Sequence, residues 1–177
     1  ISTLFPSTTL FRSLLAQAGA IGTPGSIGRG STVCDYTPLE KSLQHSLKLA
    51  VASFESRDTR VHLLDTPGYP DFLGHSLPAL AAVETAAVVI NAQNGIEMMS
   101  GRFMQWAARR GLDRLIVVNK IDAGADLAGL LESIQQAFGK ECLPLNLPAA
   151  GATRVSDCFF APSGESDFSS VEEAHQQ

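Results

Sequence analysis

Residues 61–68 read VHLLDTPG, an apolar run that ends in an aspartate and a turn-forming Pro-Gly pair. Residues 115–122, LIVVNKID, also begin with an apolar run, which is followed by the motif Asn-Lys-Ile-Asp. Residues 86–91, AAVVIN, are a third short apolar run. The last two runs are rich in β-branched residues, which is typical of strands buried on both faces of a parallel sheet. Residues 97–110 and 127–138 have helical periodicity, so helices alternate with these strands. The sequence therefore predicts an α/β fold with crossover helices.

The flanking segments extend this pattern. Residues 47–54 and 60–64 predict two antiparallel strands joined by a short polar turn. Residues 10–18 and 72–84 have the apolar spacing of helices. The sequence after Glu141 is less regular and predicts the beginning of an added subdomain.

The composition favours one soluble domain. The chain has 177 residues, 45% of them hydrophobic, which is enough for a core. Its net charge of −5 argues against binding duplex DNA by bulk electrostatics, and no apolar run approaches the roughly 20 residues that span a bilayer. Three widely spaced cysteines without a C-x-x-C pair indicate neither a disulfide framework nor a zinc site. We therefore expect a cytoplasmic protein that binds neither membranes nor DNA directly.

Both ends of the chain predict a fragment. The chain begins at Ile1 rather than Met and stops within the polar residues 166–177. In that stretch, Asp167 or Ser169 is expected to cap a helix that opens at Val171.

Asp65-Thr66-Pro67-Gly68 has the chemistry of a phosphate and metal site. An aspartate that leaves a buried strand is well placed to hold Mg²⁺, usually through water. Gly68 lacks a side chain, so its N–H can approach a terminal phosphate oxygen. Taken alone, these four residues are also good chemistry for an ordinary turn after a strand, and that alternative stays open.

Asn119-Lys120-Ile121-Asp122 has the chemistry of a guanine site. The carboxylate of Asp122 can accept two parallel hydrogen bonds, from N1–H and from the exocyclic amine of guanine, whereas adenine has no N1–H. Because an unpaired buried acceptor costs about 1–3 kcal/mol, this geometry favours GTP over ATP. Asn119 is expected to bond the base edge and its own loop, and the stem of Lys120 to cover the ring plane. A helix-capping turn is the alternative that the four residues alone leave open.

Together the two motifs resemble those of elongation factor G and its close relatives, which are translational GTPases. The resemblance extends over residues 14–173. The stretches that carry it are DYTPLEKS (35–42), HLLDTPGYPDFLG (62–74), NAQNGIE (91–97), RLIVVNKIDA (114–123) and FGKECLPLNLP (138–148). It implies a P-loop NTPase-type GTPase domain with a mostly parallel sheet and one antiparallel edge strand. Residues 14–140 would then be the core of this domain, and residues 141–177 the start of an inserted subdomain.

The resemblance also implies cofactors and partners. GTP or GDP would bind with Mg²⁺, and a monomeric protein would act on the ribosome through further domains. The GTP contacts implied at matching positions are Thr8, Asp65, Thr66, Pro67, Gly68, Asn119, Lys120 and Asp122. The implied ligands of Mg²⁺ are Thr8, Ser46 and Asp65.

Two departures from the family pattern concern switching and hydrolysis. Leu43 and Gln44 replace the arginine-glycine pair that usually precedes the switch hydroxyl, which is Ser46 here. Tyr69 stands at the position of a histidine that positions the attacking water in these factors, and it is the candidate catalytic residue. A phenol, whose pKa lies far above neutrality, is a poor substitute for that histidine, so slow hydrolysis is expected. Both departures favour the divergent elongation-factor-G-like branch.

The phosphate loop is a third departure. A G-x-x-x-x-G-K-[ST] loop aligned on Thr8 would have glycine at positions 1 and 6 and lysine at position 7. The chain has Ile1, Pro6 and Ser7 there. Residues 1–13 resemble a translated sequencing adaptor, and we predict a non-native segment in place of the P-loop, with true loss of the loop as the alternative. The chain as written is expected to bind nucleotide weakly and to be inactive.

The sequence leaves several functions open. The first is a GTP-binding domain whose hydrolysis is coupled to ribosome translocation or ribosome disassembly. The second is a ribosomal protection protein of the tetracycline-resistance type, which has the same motifs. The third is a regulator that binds guanine nucleotides without hydrolysis, which Tyr69 favours. A flavodoxin-like domain, which would not prefer guanine, is the alternative outside this superfamily.

Overall fold

The computed structural model describes residues 2–4, 8–25, 37–43, 46–68, 71 and 73–177. For residues 2–4, 8, 9, 41, 43, 73 and 75 it describes the backbone alone. The helices and strands of these ranges are, in chain order, β1 (Ser2–Leu4), α1 (Thr8–Gln17), α2 (Pro38–Leu43), β2 (Ala50–Ser56), β3 (Thr59–Thr66), α3 (Leu73–Ala79), β4 (Thr85–Asn91), α4 (Met98–Arg109), β5 (Asp113–Asn119), α5 (Leu127–Phe138), β6 (Asn146–Ala149), β7 (Arg154–Asp157) and α6 (Val171–Gln176). A 3-10 turn, Ile121–Ala123, lies between β5 and α5.

The chain folds as two compact units. The first contains the described residues up to Val89 together with Met98–Val117, and the second contains Ile90–Glu97 and Val118–Gln177. Since β4 and β5 both cross this division, the last two residues of each strand belong to the second unit. The α/β class predicted from alternating strands and helices is confirmed.

Five strands form a sheet in the order β2-β3-β1-β4-β5. β1 pairs in parallel with β3 and with β4, whereas β2, at the edge, pairs antiparallel with β3. The turn between β2 and β3 is tight because Arg57 and Asp58 both adopt the left-handed backbone, with φ of 47° and 62°. The strands predicted at 47–54 and 60–64 are confirmed, and this two-residue turn moves their observed limits to Ala50–Ser56 and Thr59–Thr66.

β3 is covered by apolar side chains on both faces. Leu63 packs in a cluster with Phe11 and Leu15 of α1, while Leu64 packs in a separate cluster with Ala79 of α3. Successive side chains of a strand point to opposite faces, so the two clusters bury β3 from both sides. The buried strand continues to Thr66, directly before Pro67.

Local capping sets the ends of α5. The helix predicted over residues 127–138 is observed as Leu127–Phe138. Oδ1 of Asp126 accepts a hydrogen bond from the Gly129 N–H at 3.0 Å, which is the usual role of an N-cap aspartate. Gly139 ends the helix with φ of 113°, a backbone conformation that favours glycine.

α3 is shorter than its periodicity indicates. The sequence predicts a helix over residues 72–84, but the observed helix covers Leu73–Ala79 and contains Pro78. After Pro78 the chain tightens into turns with hydrogen bonds from the Leu80 N–H to the Leu77 carbonyl at 3.2 Å and from the Ala81 N–H to the Pro78 carbonyl at 3.0 Å. The helix therefore ends one residue after Pro78, and bonds to carbonyls three residues back form the turns that follow it.

In the second unit, β6 and β7 form an antiparallel hairpin beside α6. Leu147, Cys158 and Val171 form its buried cluster. The hairpin supplies regular structure where the sequence pattern is irregular. None of the helices in the described part of the chain is long and apolar enough to cross a membrane.

The cap of α6 differs from the one expected. Ser170 caps the helix, and its Oγ accepts a hydrogen bond from the Glu173 N–H at 3.3 Å. The prediction of Asp167 or Ser169 is therefore wrong. The carboxylate of Asp167 instead accepts hydrogen bonds from the backbone N–H groups of residues 151 and 152, at 2.9 and 2.7 Å.

Candidate functional site

In the first unit, the Asp65–Gly68 loop is held at both of its ends. Asp65 and Thr66 are the last residues of β3 and are only 3% and 2% exposed. Pro67 is buried, and its carbonyl accepts a hydrogen bond from the buried Ser76 hydroxyl of α3 at 2.9 Å. Gly68 is half-buried. The strand ladder and α3 therefore keep this loop in one position.

Asp65 and Ser46, both in the first unit, carry oxygen atoms of the kinds that Mg²⁺ binds. An ionised carboxylate as buried as that of Asp65 needs hydrogen bonds, an opposite charge or a metal ion to offset its lost hydration. Ser46 adds a half-buried hydroxyl in the segment that leads to β2. Among the described residues, no three His, Cys, Asp or Glu side chains converge as a metal site. Mg²⁺ often binds one or two carboxylates together with phosphate oxygens and water, so a single buried carboxylate such as that of Asp65 is compatible with this ion.

Glu40 is a buried carboxylate that our sequence analysis missed. Its side chain is fully buried and joins the start of α2 to the segment before β2. Thr37 and Glu40 form a reciprocal capping box: the Thr37 N–H donates to Oε2 of Glu40 at 3.0 Å, and the Glu40 N–H donates to Oγ1 of Thr37 at 3.2 Å. Oε1 accepts hydrogen bonds from the N–H groups of Leu47 and Lys48 at 3.0 and 3.2 Å. The T-P-L-E pattern at residues 37–40 was the available signal, with proline at the first helical position.

The hydrogen bonds keep Glu40 ionised. Burial raises the pKa of its carboxyl, but the hydrogen bonds from Thr37, Leu47 and Lys48 together lower the pKa below its usual value. A carboxyl whose pKa is depressed in the folded state stabilises the fold above its unfolded pKa, and this stabilisation is lost as the pH falls through the folded value. At neutral pH the carboxylate therefore contributes fully to the link between Thr37 and residues 47 and 48.

In the second unit, the Asn119–Asp122 loop follows the end of β5. Oδ1 of Asn119 accepts a hydrogen bond from the Lys120 N–H at 2.9 Å, and its carbonyl accepts one from the Ala92 N–H at 2.9 Å. Lys120 adopts the left-handed backbone, with φ of 58° and ψ of 41°, and the chain then enters the 3-10 turn that contains Asp122. As expected from the sequence, Asn119 orders its own loop. The side chains of Lys120 and Asp122 are exposed.

An open cavity of about 530 Å³ lies on the surface of the second unit, and Asp122 is one of the residues that line it. Asp126 and Asp167 also line the cavity, but their carboxylates bond to backbone N–H groups. Within the described part of the chain, the Asp122 side chain accepts no hydrogen bond and is available to a ligand.

The other expected site residues are described only in part. Thr8 is the first residue of α1, and only its backbone is described. Tyr69 lies outside the described residues, as do Gln44, Ile1, Pro6 and Ser7. β1 (Ser2–Leu4) lies within the eight residues that align with the phosphate loop, and α1 begins at the last of them, Thr8.

Comparisons with known proteins show one family. A family model described as the elongation factor Tu GTP binding domain matches residues 7–173. An elongation factor G-like protein of Mycobacterium tuberculosis is 40% identical over 143 residues, which are 80% of this chain and 20% of that protein. The mitochondrial ribosome-releasing factor 2 of Culex quinquefasciatus is 36% identical over 142 residues, 80% of this chain and 19% of the factor. The tetracycline resistance protein TetW of Butyrivibrio fibrisolvens is 34% identical over 137 residues, 77% of this chain and 21% of TetW.

A solved structure has the same fold. A crystal structure of a protein from Thermus thermophilus matches with a TM-score of 0.86 and 32% identity, over 99% of this chain and 30% of that one. The chain spans about one fifth of the length of the curated relatives it matches.

Proposed function

Because the chain belongs to the elongation factor Tu GTP-binding domain family, as an elongation-factor-G-like translational GTPase domain, we propose that it binds GTP and GDP and that the protein carrying it hydrolyses GTP. The observation that carries this proposal is the Asp122 carboxylate, which lines a cavity and is available to a base. Asn119 orders the loop that presents Asp122, and the Lys120 stem covers the ring.

On the phosphate side, the proposed contacts are Thr8, Asp65, Thr66, Pro67 and Gly68. Mg²⁺, when bound, supplies positive charge that offsets the negative charge of the phosphates. The proposed ligands are Thr8, Ser46 and Asp65, with Asp65 carried to the ion by the buried end of β3. The hydrogen bond from Ser76 to Pro67 keeps the Gly68 N–H in place for a phosphate oxygen.

The proposed domain plan follows the sequence analysis. Residues 14–140 form the core of a P-loop NTPase-type GTPase domain with a mostly parallel sheet, to which residues 2–4 contribute β1, the strand that pairs in parallel with β3 and β4. Residues 141–177 begin an inserted subdomain, which the β6–β7 hairpin with its own buried cluster supports. Residues 1–13 replace the native phosphate loop.

The proposed partner of the whole protein is the ribosome. In this proposal the protein acts as a monomer in the cytoplasm and binds neither membranes nor DNA. The ribosome-releasing factor and the elongation factor G-like protein among the relatives support translocation or disassembly as the step served. The similarity to TetW keeps ribosomal protection as a second candidate. A regulator that binds guanine nucleotides without hydrolysis is the third, because Tyr69 replaces the family's histidine.

Guanine selectivity tests the proposal directly. Fluorescent mant-GDP should bind the chain at least about tenfold more tightly than mant-ADP, because only guanine donates two hydrogen bonds to Asp122. Equilibrium titration of the full chain with both nucleotides measures the ratio. Equal affinities would support an unselective domain of flavodoxin type and contradict the proposal.

The identity of residue 69 should control the rate of hydrolysis. Tyr69→His in the whole protein, with an intact phosphate loop, is expected to raise single-turnover GTP hydrolysis on ribosomes by at least about tenfold, because an imidazole positions and deprotonates water better than a phenol. The matched control is Tyr69→Phe, which removes the hydroxyl without adding an imidazole. A rate that stays at the ribosome-free level in both the original protein and Tyr69→His would favour the non-hydrolysing regulator.

A further inference from the structure

One carboxylate connects two parts of the chain on either side of residues 44 and 45. Oε2 of Glu40 accepts hydrogen bonds from the Thr37 N–H at 3.0 Å and the Thr37 hydroxyl at 2.6 Å. Oε1 accepts them from the N–H groups of Leu47 and Lys48 at 3.0 and 3.2 Å. Each oxygen therefore has two donors, which is the full capacity of a carboxylate.

The position of these donors shows what Glu40 holds. Thr37 caps α2, whereas Leu47 and Lys48 lead into β2, which is fixed to β3 over its whole length. Glu40 is fully buried, so the four hydrogen bonds are shielded from water and are stronger than exposed ones. Capping α2 needs only Oε2. The bonds of Oε1 are additional, and they fix the residues next to Ser46.

We infer that Glu40 is a positioning residue that joins Thr37 to residues 47 and 48 and so places Ser46 for the GTP-bound state. This inference rests on the proposed function, in which Ser46 meets Mg²⁺ beside the γ-phosphate. Switch segments of GTPases are ordered by contacts to the γ-phosphate and Mg²⁺ and are released on hydrolysis. A clamp on this segment lowers the free energy that is needed to order it when GTP binds. GDP binding does not require the segment to be ordered. Loss of the clamp therefore weakens GTP binding more than GDP binding.

Glu40→Gln tests the clamp because the amide has the same shape but replaces one acceptor oxygen with a donor. In the full chain without nucleotide, hydrogen exchange at Leu47 and Lys48 should become at least about tenfold faster. Glu55→Gln is the matched control, since Glu55 is an exposed residue of β2 whose carboxylate lies 2.9 Å from Arg60. It should leave exchange at residues 47 and 48 unchanged. Unchanged exchange in Glu40→Gln would overturn the clamp.

Nucleotide affinity tests the positioning role separately. The background is the full chain with Ile1→Gly, Pro6→Gly and Ser7→Lys, so that weak phosphate binding does not hide the change. Glu40→Gln should lower the affinity for GTP by about tenfold, which is within the usual range of coupling between sites. It should change the affinity for GDP by less than about twofold. Equal weakening of GTP and GDP would show a structural role alone and overturn the inference.

Two further measurements separate the possible failures. Thr37→Val is the second variant if Glu40→Gln does not fold. It removes the hydroxyl that donates to Oε2 and accepts the Glu40 N–H but keeps both bonds to Oε1, and it should change exchange and the GTP to GDP ratio in the same direction to a smaller extent. The parent chain, which carries Ile1→Gly, Pro6→Gly and Ser7→Lys but keeps Glu40 and Thr37, tests the proposed function itself through its affinity for GTP. Failure of this parent to bind GTP would overturn the proposed function and the positioning role together. A parent that binds GTP with an unchanged ratio in the Glu40 and Thr37 variants would overturn the positioning role alone.

Discussion

Restoring the phosphate loop with Ile1→Gly, Pro6→Gly and Ser7→Lys is expected to tighten GTP and GDP binding by about 10³-fold. The three changes complete G-x-x-x-x-G-K-[ST] over residues 1–8, where Thr8 already supplies the last letter. Glycines let backbone N–H groups approach the phosphates, and the lysine adds a charged donor. Three charge-assisted hydrogen bonds of about 1.5 kcal/mol each account for an effect of this size.

The backbone around this segment supports the prediction. β1 pairs with β3 so that Thr3 lies opposite Asp65 and Leu4 opposite Thr66. α1 then begins at Thr8. The glycine and lysine restored at positions 6 and 7 would therefore follow a strand that pairs with the end of β3 and precede a helix N-terminus, as in a phosphate loop, whereas the glycine at position 1 would precede that strand.

Equilibrium titration with mant-GDP measures the gain. The control chain carries alanine at positions 1, 6 and 7, which removes the same side chains without providing glycine or lysine, and it should gain little affinity. An equal gain in both chains would show that relief from Ile1, Pro6 and Ser7, rather than phosphate binding, is responsible. If the original chain binds GDP as tightly as the restored one, our alignment of residues 1–8 with the phosphate loop is wrong.

Local signals predicted much of the fold because they act over a few residues. α5 has Asp126 before it and Gly139 after it, and its limits agree with the prediction. The position of the Asp65–Gly68 loop followed from the apolar run before it, in which Leu63 and Leu64 pack on opposite faces of β3.

Contacts between distant residues could not be predicted in this way. The bonds from Leu47 and Lys48 to Glu40 span seven and eight residues, and only the Thr37 half of the Glu40 network has a local pattern. Asp167 is a good capping residue by type, but the backbone N–H groups of residues 151 and 152 occupy its carboxylate. Ser170 is therefore left to cap α6. In both cases a long-range hydrogen bond decides the role of a residue whose type alone allows several.

Asp122→Asn is the second substitution with a large expected effect. Asparagine offers one acceptor and one donor where the carboxylate offers two acceptors, so the amide faces the exocyclic amine of guanine with a donor. GDP binding should weaken by about 10²-fold, because a mismatched pair of hydrogen-bonding groups costs about 1–3 kcal/mol. Xanthosine diphosphate has a carbonyl oxygen in place of that amine, so its binding should tighten by at least about tenfold.

Asp126→Asn is the matched control for this exchange of specificity. Asp126 lies on the wall of the same cavity and caps α5 through its bond to the Gly129 N–H. Asparagine caps helices as well as aspartate does, so this variant should keep both the fold and the preference for guanine. Competitive titration of GDP and xanthosine diphosphate in the restored chain, its Asp122→Asn variant and its Asp126→Asn variant measures the preference. Reversal in Asp122→Asn alone would locate base recognition at Asp122, whereas equal changes in both variants would indicate a general effect of charge on the cavity and contradict the assignment.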